Sequence, residues 1–323
     1  MTVGGEERHP AGRNQKPGLS VVIVSWNAAK TLETCLDSLL EAAPPRLLEI
    51  LVMDNGSTDT SVELARRRAG RVTVIELGKN LGFAGASNAG YRQSHGEYLL
   101  FLNSDIEALP SALENLCHFM DSHPEAAAAG GKLIGVDGAP QRGFNVRAFP
   151  TLVSTAFEIL MVDKMLPRNP VSRKQRMLDF PFTEISEVDQ PAGACLLVRK
   201  SVFETVGLFD ERFHPAWFED VDLCLRLRQT GLKTYFVPTA EFRHRGGASL
   251  KHLQYGDFLS CWYKNLLQFF DKHHGKGSAL FLRALILIGM PARMLAAAFV
   301  PPKPGLGRKE ALSAYWRVLR ETL

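Results

Sequence analysis

Three acidic segments carry side chains that could hold a cation or accept a proton. They are Asp54-Asn55-Gly56-Ser57-Thr58-Asp59, Asn103-Ser104-Asp105 and Glu219-Asp220-Val221-Asp222. Asp54 ends a predicted buried strand, where a carboxylate is costly without a partner, and a nucleobase N–H or ribose hydroxyls would be good partners. Asp105 offers the oxygen ligand that Mg²⁺ or Mn²⁺ prefers beside a diphosphate.

Aromatic residues frame the third acidic segment, because Trp217 and Phe218 directly precede Glu219. A carboxylate beside apolar rings has a raised proton affinity, which suits a general base. Asp222 needs no such explanation, since an acid in the first turn of a helix interacts favourably with the helix dipole. The segment therefore predicts a proton acceptor among its first two acids.

Each of these groups also has a simpler structural interpretation. Residues 55–58 form a favoured turn, Asp59 could cap the next helix, and Asp105 could be a second helix cap. A lone histidine such as His244 is usually structural. It follows the strand-like segment Thr234–Pro238, however, and stands between two arginines, which favours a metal ligand beside a phosphate over a core position.

The elements that must position these segments alternate between strands and helices. Continuous apolar runs predict strands at Leu19–Ser25, Leu47–Met53, Val72–Leu77 and Tyr98–Leu102. Helices are predicted at Ala29–Leu40, Ser61–Arg68, Gly85–Ser94 and Ser111–Met120. This alternation indicates βαβ units in an α/β fold with a largely parallel sheet, whose ligands lie beyond the carboxyl ends of the strands.

Several classes of protein and compartment are disfavoured. The loops after the strands carry no G-x-G-x-x-G and no Walker lysine, which argues against dinucleotide-binding Rossmann domains and P-loop NTPases. The five cysteines lack zinc or redox spacing, and the N-terminus has no apolar segment of the kind that directs secretion. Both features predict reduced thiols in the cytoplasm.

Charge separates a C-terminal tail from the rest of the chain. The net charge of the 323 residues is +4, yet residues 276–323 hold eight Lys/Arg and two Asp/Glu, so residues 1–275 carry −2. Because the basic residues concentrate in an apolar tail, nucleic acid is not an expected partner. We predict a disordered leader over residues 1–17, an α/β domain over 18–275 and an amphipathic basic helical tail over 276–323.

The tail has the composition of a membrane-surface segment. Arg283 and Arg293 interrupt the apolar run Ser278–Val300, and Pro291 would kink it, which argues against a membrane-spanning helix. Residues Arg308–Leu323 place apolar side chains on one face with cationic flanks, which predicts a helix lying on an anionic bilayer. The alternative is a helical pair that packs on the domain or forms a homodimer.

Seven segments in one order resemble the family 2 inverting glycosyltransferases of GT-A fold, and within them the bacterial rhamnosyltransferase-like branch. They are VVIVSWN, VMDNGSTD, NLGFAGASNAG, LLFLNSD, GACLLVRKSVFETVGLFDE, FEDVDLCLRL and HRGGAS, between roughly Leu19 and Gly275. The resemblance implies a Rossmann-like nucleotide-binding half and transfer of a sugar, rhamnose from dTDP-rhamnose, to a saccharide acceptor in cell-surface polysaccharide assembly. The alternatives are a UDP-sugar-dependent galactofuranosyl or N-acetylhexosaminyl transferase and an inactive nucleotide-sugar-binding scaffold.

The resemblance also implies a role for individual residues. Asp54 matches the residue that recognises the base, and Asp105 and His244 match the site of a divalent metal, Mg²⁺ or Mn²⁺. The other positions that match the nucleotide-sugar site are Ser25, Trp26, Asn27, Asn55, Ser57, Asp59, Asn80, Gly82, Phe83, Asn88, Asn103 and Ser104. Asn103 replaces the first acid of the family's D-x-D motif, which predicts weaker metal affinity.

The same resemblance implies a reaction and a place for it. Asp220, with Glu219 beside it, matches the acidic pair near the acceptor and would remove a proton from the acceptor hydroxyl, giving inversion. The metal would neutralise the leaving nucleotide diphosphate. With a membrane-bound tail, the acceptor is expected on a polyprenyl-diphosphate carrier, and the protein at the cytoplasmic face of the cell membrane.

Overall fold

A computed structural model of the chain describes residues 17–246, 253–299 and 306–322. The predicted leader thus lies, except for residue 17, outside the described residues. The strands are β1 Leu19–Ser25, β2 Leu47–Asp54, β3 Val72–Glu76, β4 Tyr98–Asn103, β5 Ile106–Ala108, β6 Ala126–Ile134, β7 Val146–Arg147, β8 Ser186–Glu187, β9 Gln190–Pro191, β10 Cys195–Arg199 and β11 Lys233–His244. The helices are α1 Ala29–Glu41, α2 Ser61–Arg66, α3 Gly82–Gln93, α4 Ala112–Ser122, α5 Leu152–Ile159, α6 Val162–Met165, α7 Pro170–Gln175, α8 Lys200–Val206, α9 Glu219–Gln229, α10 Tyr255–His274, α11 Lys276–Phe299 and α12 Arg308–Thr322.

One mixed sheet organises residues 17–246. Its order is β3-β2-β1-β4-β10-β6-β11-β5, with β8 paired to β11. Strands β1, β2, β3 and β4 are parallel to one another, and β6 is parallel to β11. Strand β10 runs antiparallel to both of its neighbours, β4 and β6. The predicted α/β alternation is therefore confirmed, with β10 reversing the direction at the middle of the sheet.

The predicted strands and helices of the N-terminal half are present with small shifts at their ends. The largest shift is at α3, which begins at Gly82 rather than at the predicted Gly85. Gly82 has a φ of +75°, and a Cβ there would lie 2.7 Å from the Pro215 carbonyl oxygen, so only glycine fits this close approach. The Phe83 N–H also donates to that carbonyl at 2.7 Å, which joins the start of α3 to the loop before α9.

Helices cover both faces of the sheet, which explains the continuous apolar runs of its central strands. On one face, β1 and β4 pack against α1 and α4 through residues such as Leu32, Leu36 and Leu116. On the other face, Phe101 of β4 meets Phe203 and Phe209, with ring centroids 5.2 and 4.9 Å apart. Burying each large apolar side chain contributes roughly 1.5–3 kcal/mol, so these two layers hold the strand ends in fixed positions.

Helices α10, α11 and α12 pack beside this sheet domain in a core of their own. That core combines residues of α10, such as Phe269, with Leu282 of α11, Val318 of α12 and Phe218 next to α9. The predicted boundary between residues 275 and 276 falls between α10 and α11, and helices on both sides of it share this core. Treating residues 276–323 as a separate unit remains a proposal.

The described part of the tail presents its apolar residues in two different ways. Helix α12, predicted to meet the bilayer, packs on α10 and α11 through Ala314 and Val318 and leaves Trp316 exposed. Helix α11 is long and apolar enough to span a membrane by length and composition, a test that the core helix of a soluble protein also passes. One side of α11 is buried, and Arg293 on it donates to the Glu158 carbonyl of α5 at 2.6 Å.

Candidate active site

The carboxyl ends of the strands open onto a cavity of about 470 Å³. What we call the sheet-edge wall consists of residues after the strands: Trp26, Asn55, Asn80, Gly82, Phe83, Asn103, Ser104, Asp105 and His244. What we call the helical wall faces it and includes Arg147, Trp217, Glu219, Asp220, Phe258 and Trp262. The sequence-predicted residues Ser25, Asn27, Asp54, Ser57, Asp59 and Asn88 do not line the cavity.

Asp54 lies behind the sheet-edge wall and pairs in register with Ser25 of β1. Its Oδ2 accepts a hydrogen bond from the Ser57 N–H at 3.2 Å. Its Oδ1 and the Ser25 hydroxyl are both buried and have no hydrogen-bond partner among the described residues. Because a buried polar atom without a partner is costly, these two oxygens suit a ligand that donates hydrogen bonds, such as the expected nucleobase or ribose.

An amide network builds the part of the sheet-edge wall next to Asp54. Asn55 donates to the Asn80 side-chain oxygen at 3.0 Å and accepts from the Leu81 N–H at 2.7 Å. The same Asn80 oxygen accepts from the Gly82 N–H at 2.8 Å. These bonds hold the loop before α3 against the end of β2, so Asn55 and Asn80 shape the wall as well as line it.

Three predicted binding residues connect the loops behind the cavity. Asn27 accepts from the Thr58 N–H at 2.8 Å and donates its own N–H to Ser57 Oγ at 3.0 Å. Asp59 accepts from the N–H groups of Ala29 at 3.1 Å and Ser61 at 3.0 Å. These contacts fix the loop after β1 to the loop after β2, which is a positioning function.

Asn88 makes similar contacts from inside α3. Its side-chain amide donates to the Phe209 carbonyl and to Glu211, both at 2.9 Å, and its oxygen accepts from the Phe209 N–H at 3.1 Å. Asn88 is buried, so it anchors the loop after α8 and contacts no part of the cavity.

Asp105 and His244 approach each other at the edge of the cavity. His244 Nε2 lies 3.5 Å from Asp105 Oδ1, and both side chains are buried. On its other side, His244 Nδ1 lies 2.7 Å from Gln141 Oε1, and the Gln141 amide donates to the His244 carbonyl at 2.9 Å. Phe144 stacks on the imidazole with ring centroids 5.1 Å apart, so the ring has one fixed orientation.

The side chains of Asp105 and His244 fit a cation whose remaining ligands come from a substrate and from water. Oxygen and imidazole nitrogen are ligands for Mn²⁺ and, in the case of oxygen, for Mg²⁺. In the described part of the chain, no group of three or more His, Cys, Asp or Glu side chains could hold a metal by itself. Two protein ligands leave positions for diphosphate oxygens and water, which is the usual arrangement for Mg²⁺ at phosphates.

Glu219 and Asp220 begin α9 and face the cavity from the helical wall. Asp220 Oδ2 accepts from the Gly193 N–H at 3.0 Å and Oδ1 accepts from the Val221 N–H at 2.8 Å. Burial raises the pKa of Asp220, although these hydrogen bonds and Arg147 oppose the shift. Burial, with repulsion from Asp220, raises the pKa of Glu219 well above its ordinary value. Burial therefore raises the proton affinity of both carboxyl groups, and more strongly that of Glu219.

A close backbone approach fixes the Asp220 carboxylate. A Cβ at Gly193 would lie 2.8 Å from Asp220 Oδ2, so a larger residue would displace the carboxylate. Gly193 follows β9, which pairs with β7, and this pairing brings Arg147 to the same wall. Residue spacing does not indicate that Arg147, Gln141 or Phe144 belongs to the site, because contacts between distant segments bring these residues together.

Asp222, the third acid of the segment, has a different role from its neighbours. Its side chain is fully buried and pairs with Arg226 at 2.8 Å, Lys272 at 2.6 Å and His273 at 2.7 Å. Burial favours the neutral acid, but these partners outweigh it and lower the pKa of Asp222. Beyond the helix-dipole interaction expected from the sequence, Asp222 thus joins α9 to α10.

Comparison with known proteins finds a family model and several relatives that match much of the chain. The family model described as "Glycosyl transferase family 2" matches residues 20–206. An N-acetylglucosaminyl-diphospho-decaprenol L-rhamnosyltransferase of Mycobacterium tuberculosis is 31% identical over 269 residues, covering 80% of this chain and 85% of that protein. The O-antigen biosynthesis protein RfbC of Myxococcus xanthus is 29% identical over 72% of this chain and 18% of its own length.

Solved structures share the fold at low sequence identity. The mannosyltransferase PcManGT of Pyrobaculum calidifontis, in complex with GDP-Man and Mn²⁺, has a TM-score of 0.53 and 15% identity, covering 95% of this chain and 86% of its own. Residues 1–349 of S. aureus TarS in complex with UDP-GlcNAc give a TM-score of 0.52 and 18% identity, covering 94% and 89%. The expected GT-A fold is confirmed.

Proposed function

The chain belongs to glycosyl transferase family 2, and from that premise we propose that it transfers rhamnose, with inversion, from dTDP-rhamnose to a lipid-linked saccharide in cell-surface polysaccharide synthesis. The observation that carries the proposal is one cavity with a buried Asp105–His244 pair on one wall and, on the other, the buried Glu219 beside the partly buried Asp220. A cation site beside a leaving diphosphate and a base beside an acceptor are the two needs of such a reaction. The L-rhamnosyltransferase from Mycobacterium tuberculosis supports the choice of sugar and acceptor.

The helical wall supplies the proton acceptor. Asp220 takes the proton of the acceptor hydroxyl, whose oxygen bonds to the anomeric carbon while the bond from that carbon to the diphosphate oxygen breaks. The nucleoside diphosphate leaves with the electron pair, and attack from the opposite side inverts the carbon. Raised basicity of Asp220 helps because a proton acceptor works best with a pKa near the working pH.

The sheet-edge wall supplies the donor site. Asn55, Asn80 and the start of α3 border the ribose and diphosphate, and the oxygens of Asp54 and Ser25, which are buried and do not line the cavity, become hydrogen-bond acceptors for the nucleoside when the donor binds. Asp105 and His244 would hold Mg²⁺ or Mn²⁺, which neutralises charge on the departing diphosphate when bound. Gln141 and Phe144 keep the imidazole in the orientation that this requires.

A panel of nucleotide sugars tests the proposal most directly. Thermal shifts would be measured with dTDP-rhamnose, UDP-sugars and GDP-mannose, with and without Mn²⁺ or Mg²⁺, followed by transfer to a short-chain prenyl diphosphate-linked N-acetylglucosamine. We expect the largest metal-dependent shift and transfer with dTDP-rhamnose. Transfer from a UDP-sugar alone would replace the donor, and binding without transfer or hydrolysis to any acceptor would indicate a scaffold.

The exposed side of α11 provides the membrane contact in this proposal, at the cytoplasmic face of the membrane. Leu280, Ile288, Leu295 and Phe299 are 63–77% exposed, and their spacing returns them to one side of the helix. An apolar helix side next to the net +6 of residues 276–323 suits an anionic bilayer. This side of α11, rather than the largely packed α12, carries the interaction.

Vesicle sedimentation separates the two helices. With phosphatidylglycerol-containing vesicles, the double change Ile288→Asp and Leu295→Asp should release the protein into the supernatant. Trp316→Ala on α12 is the matched control and should leave sedimentation within about twofold. If the α11 variant binds vesicles normally but changes from dimer to monomer in analytical ultracentrifugation, the exposed side is instead a homodimer interface.

A further inference from the structure

Arg147 stands on the helical wall in a position that the reaction described above does not use. It belongs to β7 and pairs in register with Gln190 of β9, three residues before the Gly193 that holds Asp220. Its side chain lines the cavity together with Glu158 of α5 and Gln175 of α7. The pairing of two short strands therefore brings a guanidinium into the cavity near the proposed base.

The hydrogen-bonding capacity of Arg147 is largely unused. Its Nε is shielded from solvent and has no hydrogen-bond partner among the described residues. One Nη2 contact, to Gln175 Oε1, is long at 3.4 Å. Arg226 shows the contrast, because it bonds Asp222 at 2.8 Å and the Val206 and Leu208 carbonyls at 2.5 and 2.6 Å. Arg147 is partly buried, and a cation removed from water with unused donors is costly unless an anion completes its environment.

The charge surroundings of Arg147 point to the acceptor side of the cavity. Burial lowers its pKa, attraction to Glu158 and Asp220 opposes that shift, and Arg176 adds to it. Arginine nevertheless stays charged at neutral pH. One of these acids, Asp220, is the proposed acceptor of the hydroxyl proton, and Glu158 lines the same cavity.

The route from Arg147 past Glu158 to α11 indicates which kind of anion Arg147 could bind. Glu158, which lines the cavity next to Arg147, lies close to α11, because its carbonyl accepts a hydrogen bond from Arg293 at 2.6 Å. Anything that extends from Asp220 past Arg147 toward α5 thus moves toward the buried side of α11, the helix whose other side is apolar and exposed. A lipid-linked sugar has this order of parts, with its hydroxyl first, then its diphosphate, then its chain.

We propose that Arg147 binds the diphosphate of a lipid-linked acceptor and so makes the enzyme specific for acceptors that carry it. The planar guanidinium can donate two parallel hydrogen bonds to phosphate oxygens, which a lysine cannot reproduce. This inference rests on the proposed glycosyl transfer. It adds a specificity-determining residue to it, separate from the base and from the metal ligands.

Kinetics with paired acceptors test the inference. The full-length enzyme and Arg147→Gln would be assayed with N-acetylglucosamine linked through a diphosphate to a short prenyl chain, and with the phosphate-free glycoside of the same chain. We expect KM for the diphosphate-linked acceptor to rise about 10- to 100-fold, the range of a charge-assisted hydrogen bond. KM for the glycoside should stay within about twofold, and Arg147→Lys should recover part of the loss. Arg173→Gln, an exposed arginine of α7, controls for net charge.

Binding measurements keep the test independent of turnover. Intrinsic fluorescence of Trp217 and Trp262, which line the same cavity, would report the affinity for the diphosphate-linked lipid and for dTDP. Equal affinity of wild type and Arg147→Gln for the lipid would overturn the inference. A comparable loss of dTDP affinity would also overturn it, because Arg147 would then lie at the donor diphosphate. An equal loss of kcat with both acceptors, together with a shifted pH profile, would overturn it as well, because Arg147 would then act only on Asp220. Absence of transfer to both acceptors by wild type would count against the proposed function instead.

Discussion

The two walls of the cavity differ in how their polar groups are satisfied. On the sheet-edge wall, amides such as Asn55 and Asn80 bond to one another and to backbone groups over short distances. On the helical wall, Glu219 is buried and Asp220 partly buried in a cavity that aromatic residues also line, and burial raises the pKa of both carboxyl groups. One wall is built to hold a ligand in place, and the other keeps charged groups in a state that favours proton transfer. Four substitutions test this division, from the largest expected effect to the smallest.

Asp220→Asn removes the proton acceptor from the helical wall. We expect the transfer rate to fall roughly 10²- to 10⁴-fold, because general base catalysis is worth that much. Affinity for the nucleotide sugar, which depends on the other wall, should stay within about twofold by isothermal titration calorimetry. Near-normal turnover of Asp220→Asn would show that the base assignment is wrong, and lost nucleotide affinity would show that the walls do not act separately.

Asp222→Ala, two residues further along α9, should act on stability. Removing this buried carboxylate leaves Arg226, Lys272 and His273 without their shared partner, and breaking such a network costs about 3–5 kcal/mol. Urea denaturation at pH 7 measures the loss. An unfolding free energy equal to that of wild type would contradict the structural role.

The pH dependence of stability provides a second test of the structural role of Asp222. Its pKa is lowered in the folded state, so its stabilisation is present above the ordinary aspartate pKa of about 3.9 and is lost as pH falls through the lower folded value. The stability difference between wild type and the alanine variant should therefore shrink in acid. A difference that grew in acid would be incompatible with these ion pairs.

The sequence predicted the sheet-edge wall better than the helical wall for a physical reason. Local apolar runs define β1, β2 and β4, and the carboxyl ends of parallel strands meet at one edge, so Asp105 and Asn55 could be placed in one crevice. Asn27 and Asn88 also match segments near the cavity, but they do not line it and instead bond to backbone groups and side chains of neighbouring loops. A match in a loop does not reveal which way a side chain is directed.

The helical wall depends on contacts between distant parts of the chain. Arg147 reaches the cavity only through the pairing of β7 with β9, two strands of two residues each, which no apolar pattern reveals. Asp220 and Asp222 lie in the same helical turn, but Asp222 pairs with Arg226 of α9 and, through the packing of α10, with Lys272 and His273. Long-range packing thus assigns different roles to acids that a sequence pattern treats alike.

Gln141→Leu tests the metal site on the sheet-edge wall. Gln141 bonds both the imidazole and the carbonyl of His244, so its loss should leave the ring free to rotate. Substituting a residue that orients a metal ligand typically weakens metal affinity 10- to 100-fold. We expect the Mn²⁺ concentration for half-maximal activity to rise about 10-fold, with metal-free nucleotide affinity unchanged. An unchanged Mn²⁺ requirement would argue against His244 as a ligand.

Glu219→Gln should have the smallest effect on folding, with the opposite sign from Asp222→Ala. Burial raises the pKa of Glu219 well above that of the unfolded chain, so between these values the folded state binds more protons and stability falls as pH rises. Glutamine has nearly the shape of the neutral acid and does not ionise. We therefore expect Glu219→Gln to raise the unfolding free energy by about 1–2 kcal/mol at pH 7.

The pH dependence of this gain identifies its cause. Below about pH 4, glutamate is protonated in both states, so the advantage of the glutamine variant should disappear in urea denaturation there. A gain that persisted in acid would come from packing and not from ionisation. If the gain follows pH as described while transfer slows, the helical wall holds a destabilising carboxylate because catalysis requires it, whereas the hydrogen-bonded amides of the sheet-edge wall involve no such conflict.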